Sequence, residues 1–302
     1  MKRKKSSLGD NSLSDRIYRL CAYFLLALIM LVLIYPLWTV LVASFSDPKE
    51  LYQKTFHLWP TKWTLDSYTL VFQDKDFLRG IWNSVQYTAV GTILNVFLNI
   101  CAAYPLSKRN LKGSGMLMKL FTFTMFFSGG MIPTYLVVSQ LHLIDSFWAM
   151  ILPNAIGTFN VIIMRTYFQN SIPSELEDAA SMDGCTNFRF LWSVVVPLSA
   201  PIIVVVAFYY GVARWNDYFS AMMYLNDSTM WPLQLVLREI LIENQSNGML
   251  RVATDAAYAD RMMSRMGLKY AVIVISTVPI MVVYPFAQKF FSKGVMVGAV
   301  KG

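Results

Sequence analysis

Six stretches of this chain hold no Asp, Glu, Lys or Arg: Leu20–Ser46, Gly80–Ser107, Leu120–Ile144, Ser146–Met164, Phe190–Ala213 and Tyr270–Gln288. Each has at least the roughly 17–20 residues that a helix needs to cross the hydrocarbon core of a bilayer. Each is rich in Leu, Ile, Val, Phe and Met, and buried helices of soluble proteins are usually shorter. Composition agrees. Charged residues make up 15% of the chain, against about 25% in soluble domains. The expectation is an all-α polytopic membrane helix bundle with six transmembrane helices.

The charges outside the apolar stretches set an orientation. Met1–Arg19 carries Lys2, Arg3, Lys4, Lys5, Arg16 and Arg19. The apolar run that follows is too long for a signal-peptide core, and no small-residue cleavage site closes it. It reads as an uncleaved first span. With six spans, segments 1–19, 107–119, 165–197 and 289–302 carry 15 Lys and Arg, and segments 46–79, 141–146 and 226–269 carry 10. The positive-inside rule then puts both termini in the cytoplasm. The expected division is a basic N-terminus, 1–19, a permease domain, 20–290, with an inner loop, 171–197, and an outer loop, 226–266, and an inner tail, 291–302. The net charge of +8 is a topology signal, and no basic soluble domain calls for nucleic acid.

Several breaks mark the spans. Pro36 is expected to kink and end the first span. In the third, Gly129-Gly130 followed by Pro133 loosens the backbone inside an apolar run, which a membrane tolerates only where the released groups meet protein or water. That break is either a packed kink or part of a transport path. The fourth contains Pro153 and Asn154. In the outer loop, Trp231-Pro232 opens a helix with Leu233, Val236, Leu237, Ile240 and Leu241 on one stripe. That helix could lie on the membrane, cover the bundle mouth or meet an external partner. Trp59, Trp63, Tyr68 and Phe72 suit headgroup depth.

The inner loop is the most informative segment. Ser174 and Glu177 are spaced as a capping box. Glu175, Glu177 and Asp178 suit a helix N-terminus, Ala179 and Ala180 favour helix, and Asp183-Gly184 suits its end. A second short helix is expected over Phe188–Val194, and Pro197 leads back to the membrane. A mere connector needs only a few residues, so a capped helix with small side chains and acidic flanks reads as a docking surface. This segment resembles the EAA loop of binding-protein-dependent ABC importer permeases: Glu-Ala-Ala, three residues, Gly, nine residues, then Ile-x-Leu-Pro. Here Asp178-Ala179-Ala180, Gly184, Val194, Val196 and Pro197 stand at those positions, with Asp for Glu and Val for Ile and Leu. Ala103–Arg109, Gly129–Tyr135 and Lys293–Gly302 resemble the sugar-importing members of the family.

The resemblance implies a type I importer transmembrane domain. It also implies a second homologous permease, two cytoplasmic ATPase subunits that bind ATP and Mg, an extracytoplasmic solute-binding protein, and a carbohydrate substrate, with the chain in the bacterial cytoplasmic membrane. The residues expected to couple to the ATPase are Glu175, Glu177, Asp178, Ala179, Ala180, Asp183, Gly184 and Pro197. The chain has no Gly-x-x-x-x-Gly-Lys-Ser/Thr phosphate loop, no Ser-His-Asp or Cys-His arrangement in plausible order, and no paired Cys or His spacing for a metal. It is expected to hold no cofactor or metal and not to be an enzyme.

A secondary transporter or channel acting alone would also show six spans and broken helices, but it gives no reason for the Asp178–Pro197 pattern. A membrane-embedded enzyme would need catalytic groups gathered at one depth, and only Arg214 and Asp217 lie deep in a span. Charges there normally face protein or water, and their i, i+3 spacing puts them on one face. They are either a structural ion pair or, with Tyr210, Trp215 and Asn216, part of the substrate path.

Overall fold

The computed structural model describes residues 13–48, 58–60, 62–108, 110–250 and 256–299; side chains are described within 15–242 and 267–291. Lys2–Lys5, the Arg109 position and the last residues of the tail lie outside them. The described chain is helical: α1 Leu13–Ser44, α2 Asp66–Gln73, α3 Lys75–Ser107, α4 Ser114–Phe126, α5 Met131–Gln140, α6 Thr158–Ser171, α7 Ser174–Met182, α8 Asn187–Leu198, α9 Ala200–Trp215, α10 Phe219–Tyr224, α11 Leu233–Leu250 and α12 Ala256–Ala299.

Two compact units emerge. In the first, residues up to Val71 join Leu250–Val274. Pro36 does not end α1, which runs on to Ser44, and the apolar residues from Ile17 to Leu37 are exposed around it. Lipid is the medium for such a surface. At its end, Trp38, Trp59, Trp63, Phe45 and Tyr68 form a chain of ring contacts 5.1–6.0 Å apart. The Trp38 indole donates to the Leu58 carbonyl and the Ser44 hydroxyl meets the Tyr68 hydroxyl at 2.8 Å. These amphipathic rings suit an interfacial belt.

The second unit, Phe72–Met249 with Ile275–Gly302, is organised around α3. Asp74 caps it by accepting from the Asp76 and Phe77 amides. Its buried stripe reads Gly80, Ser84, Tyr87, Gly91, Asn95, Asn99, while Leu78, Trp82, Val85, Val90, Ile93 and Phe97 are exposed. A water-soluble helix would show the reverse. In a membrane the apolar face is turned outward, and small and polar residues mediate close helix packing. The core joins α3, α6, α8 and α9 through Ile100, Ala103, Val161, Met164, Val195 and Val206, among others.

Among the described residues, five of the six expected spans correspond to three single helices, Asp15–Ser44, Lys75–Ser107 and Gly267–Phe291, and two bent pairs. The first bent pair is α4 and α5, which meet at 111°. Gly130 sits between them at φ +89, and the Thr134 hydroxyl donates to its carbonyl at 2.8 Å. The second is α8 and α9, at 82°. The Ser146–Met164 stretch is not one helix. A 3-10 turn, Phe147–Met150, is followed by turns through Pro153, Asn154 and Gly157 before α6 begins. Proline, asparagine and glycine close together interrupt the helix ladder there.

The outer helix predicted after Trp231-Pro232 is α11. Leu233 and Val236 of the expected stripe are buried, Leu237, Ile240 and Leu241 are half-buried, and Leu235 is buried as well. Gly80 of α3 lies under Leu233 and Val236. Asn83 donates to the Thr229 and Trp231 carbonyls, Tyr87 to the Met230 carbonyl, and the Leu233 amide to the Ser84 hydroxyl. This helix therefore covers the N-terminal end of α3.

The turn before the 3-10 element is latched by Asp145. It lies in the left-handed region at φ +57. Its carboxylate accepts from the Asn226 side chain at 2.8 Å, the Asn226 amide and the Asp227 amide. These donors, the Asn226 side chain foremost, hold its pKa below the ordinary carboxylate value. A lowered folded pKa means that the latch stabilises above the unfolded value of about 3.9 and is lost as pH falls through the folded value. Asp145→Asn retains tolerance of the left-handed backbone. It should lower the detergent unfolding midpoint at neutral pH, with the deficit shrinking as the sample is acidified below pH ~4. A deficit unchanged by acid would contradict this reading.

Candidate functional site

The inner loop forms the helix that its sequence suggests, with different cap chemistry. Pro173 occupies the N-cap of α7 and no side chain caps it. The Ser174–Glu177 capping box is not made, because Ser174 is already the first helical residue and Glu177 turns to Lys108, whose Nζ is 2.5 Å from its carboxylate. The C-terminus follows expectation. Gly184 is left-handed at φ +72. The Gly184 amide donates to the Ser181 carbonyl at 3.0 Å and the Cys185 amide to the Ala180 carbonyl at 2.9 Å. That pair of bonds is a Schellman motif.

Burial sorts the residues expected to couple by face. Glu175, Asp178, Ala179, Asp183, Gly184 and Pro197 are exposed, while Glu177 and Ala180 are half-buried. Ala180 packs against the core of the unit. The structure therefore turns Ala180 inward and leaves Ala179 as the small residue on the outer face. Met182 and Phe188 are exposed at 88% and 72%, and sequence reading did not single them out. Apolar side chains so open beside an acidic helix suit a partner surface. The expected second helix, Phe188–Val194, is the first part of α8. Thr186 caps it through the Arg189 amide, and a π turn occupies Leu191–Val195.

The helix that leads into the loop is fastened to the end of α3. Arg165 Nε of α6 donates to the Leu106 carbonyl at 2.8 Å, and Gln169 Nε2 to the Ser107 carbonyl at 3.2 Å. These carbonyls lie in the last turn of α3, where no further helical amide follows, and the Leu106 carbonyl also accepts from the Ser114 hydroxyl at 3.3 Å.

Span five carries a second polar site. The Tyr210 hydroxyl accepts from the Gly157 amide at 2.7 Å and from Asn99 Nδ2 at 2.6 Å. Arg214, one turn on and buried, donates to the carbonyls of Met150, Ile151 (2.8 Å) and Asn154 (3.1 Å). The Asn95 amide, with its NH2 turned toward them, reaches the Gly91 carbonyl at 2.9 Å and the Ala155 carbonyl at 3.3 Å. Together α3 and α9 hold the irregular segment 150–157, whose backbone has no helix of its own to bond within.

The expected Arg214–Asp217 ion pair does not form. Helix α9 ends at Trp215, and although the Asp217 amide still donates to the Arg214 carbonyl at 3.2 Å, the guanidinium is taken by the carbonyls of segment 150–154. Asp217 instead accepts from the Ser220 amide at 3.0 Å, at the start of α10. Trp215 Nε1 donates to the Ser276 carbonyl at 2.9 Å. Asn216 is exposed, with its side chain on the Val212 carbonyl. The sequence offered a signal for the overlooked pair Asn95 and Asn99: two amides one turn apart in a charge-free span. It offered none for Lys108, whose partner is distant in sequence.

Long lipid-facing helices, bent spans and a short helix tied to the end of α3 define a polytopic α-helical membrane protein. More particularly, the chain belongs to the family of binding-protein-dependent transport system inner membrane components, whose profile matches residues 7–297. It is 43% identical to Protein LplC of Bacillus subtilis over 97% of each chain. It is also 43% identical to the polygalacturonan/rhamnogalacturonan transport system permease protein YtcP of the same organism, over 96% of this chain and all of YtcP. Among solved structures it matches a chain of a bacterial ABC transporter involved in the import of the acidic polysaccharide alginate. The TM-score is 0.84 and the identity 31%, over 93% of this chain and 98% of that one.

Arg214→Met removes three donors and leaves buried carbonyls unpaired. It should cost about 3 kcal/mol or more of stability, read as the unfolding midpoint in detergent. Asp217→Asn keeps an acceptor for Ser220 and should stay within about 0.5 kcal/mol of the parent. Equal damage from the two substitutions would restore the ion-pair reading.

Proposed function

We propose that this chain is one permease subunit of an ATP-driven bacterial importer, forming half of the translocation path for an acidic oligosaccharide. The observation that carries the proposal is α7: a helix closed at its C-terminus by a Schellman motif, with an acidic outer face, exposed Ala179 and Met182, and an ion pair to Lys108 at the end of α3. In this reading its outer face docks in a cleft of an ATPase subunit. Small Ala179 permits close approach, Glu175, Asp178 and Asp183 pair with basic groups, and Met182 and Phe188 supply apolar area.

Family membership supports a binding-protein partner and the remaining architecture: a second homologous permease, two ATPase subunits carrying ATP and Mg, and both termini in the cytoplasm. Six crossings follow if the irregular segment and α6 together make one. The names of the relatives support a uronate-rich sugar. The span-five residues then divide their roles. Tyr210, Arg214 and Trp215 shape the wall, while Asn216 and Asp217, beyond the end of α9, are placed to meet sugar hydroxyls.

Ala179→Arg adds a long cation to the docking face without touching the core. In the assembled complex it should abolish co-purification of the ATPase subunits or uncouple ATP hydrolysis from uptake, with the permease itself folded. Normal attachment and normal uptake in this variant would overturn the assignment.

A further inference from the structure

Lys108 lies just past the end of α3, where a lysine could simply extend into water. Its side chain is 20% exposed instead. Nζ sits 4.4 Å from the Tyr104 ring centroid and 5.2 Å from that of Phe190, and it ion-pairs with Glu177. Both rings are buried, at 8% and 3% exposure. The cation thus touches α3, α7 and α8 at once. An exposed ion pair alone is weak, but a cation partly withdrawn from water over two ring faces is held more firmly. A carboxylate in the first turn of α7 also suits that helix's own dipole.

We infer that Lys108 is a positioning residue for transport: a cationic latch that ties the coupling helix α7 to the spanning helix α3, so that displacement of α7 moves α3. The inference rests on the docking role proposed for α7. Backbone continuity links α7 to α6 through Ile172-Pro173 and to α8 through Cys185-Thr186, but not to α3. Arg165 and Gln169 bind the end of α3 to α6, which meets α7 only through the Ile172-Pro173 backbone, so that route to α3 is indirect. Lys108–Glu177 is the ion pair between α7 and a spanning helix among the described residues. What it moves matters. Helix α3 carries Asn95 and Asn99, which with Tyr210 hold segment 150–157. The latch therefore connects the inner docking helix to the irregular backbone inside the bundle.

The test uses the complete importer in liposomes and a labelled uronate oligosaccharide that the wild-type complex takes up. The readout is ATP hydrolysed per sugar imported. Lys108→Gln and Glu177→Gln should each raise that ratio about two- to thirtyfold, with the ATPase subunits still attached. The double variant should be no worse than the worse single, because both remove one contact. Lys108→Arg keeps the cation and its stacking and should retain a near wild-type ratio. A wild-type ratio in Lys108→Gln, additive effects in the double variant, or equal damage from Lys108→Arg would overturn the latch. Ala179→Arg, measured in parallel, separates the two ideas. If it detaches the ATPase while Lys108→Gln leaves the ratio intact, only the latch is wrong. If it too changes nothing, the docking role of α7 has failed.

Discussion

A backbone carbonyl in hydrocarbon has no water to bond, so every break in a spanning helix must be answered by another part of the protein. This chain breaks its helices between α4 and α5, through segment 151–157, and beyond α9 at Asn216. The answer to the second break is specific. Arg214 supplies donors to three carbonyls, and Tyr210 offers its oxygen to the Gly157 amide. A charge that would be costly in lipid becomes the group that makes an irregular backbone permissible there.

Helix α3 is the element against which this arrangement is built. Its buried stripe of glycine, serine and asparagine lets α9 and α6 approach closely and supplies amides to the same network. Its N-terminal end is covered by α11 and the turn before it through Asn83, Ser84 and Tyr87. Its C-terminal end is held by Arg165, Gln169 and the Lys108–Glu177 pair. Contacts at both ends and along the middle join this helix to its neighbours over its whole length. That property suits a part carrying displacement from one side of a membrane to the other.

Much of this was legible in the sequence. The charge-free stretches located the membrane helices, because no other environment admits such long runs without a charge. The left-handed end at Gly184 followed from glycine's freedom, and the helix after Trp231-Pro232 from its apolar stripe. The misses share a cause. The Ser174–Glu177 capping box and the Arg214–Asp217 pair were inferred from local spacing. Each side chain found a better partner far away: Glu177 took Lys108, and Arg214 took the Met150–Asn154 carbonyls. Reading the Ser146–Met164 stretch as one helix failed for a related reason. Its apolar character was right, but Pro153, Asn154 and Gly157 could be left irregular only because α3 and α9 supplied bonds that no window of sequence displays.

The central claim is that α3 and α9 hold segment 150–157 through side-chain bonds, and hydrogen exchange at single amides tests it most directly. In the intact protein the Gly157 amide should exchange slowly, since the Tyr210 hydroxyl accepts its proton. Tyr210→Phe should speed exchange at Gly157 and its neighbours while the middle of α3 stays protected. Unchanged exchange at Gly157 in that variant would contradict the account, as would loss of protection spread evenly through the bundle.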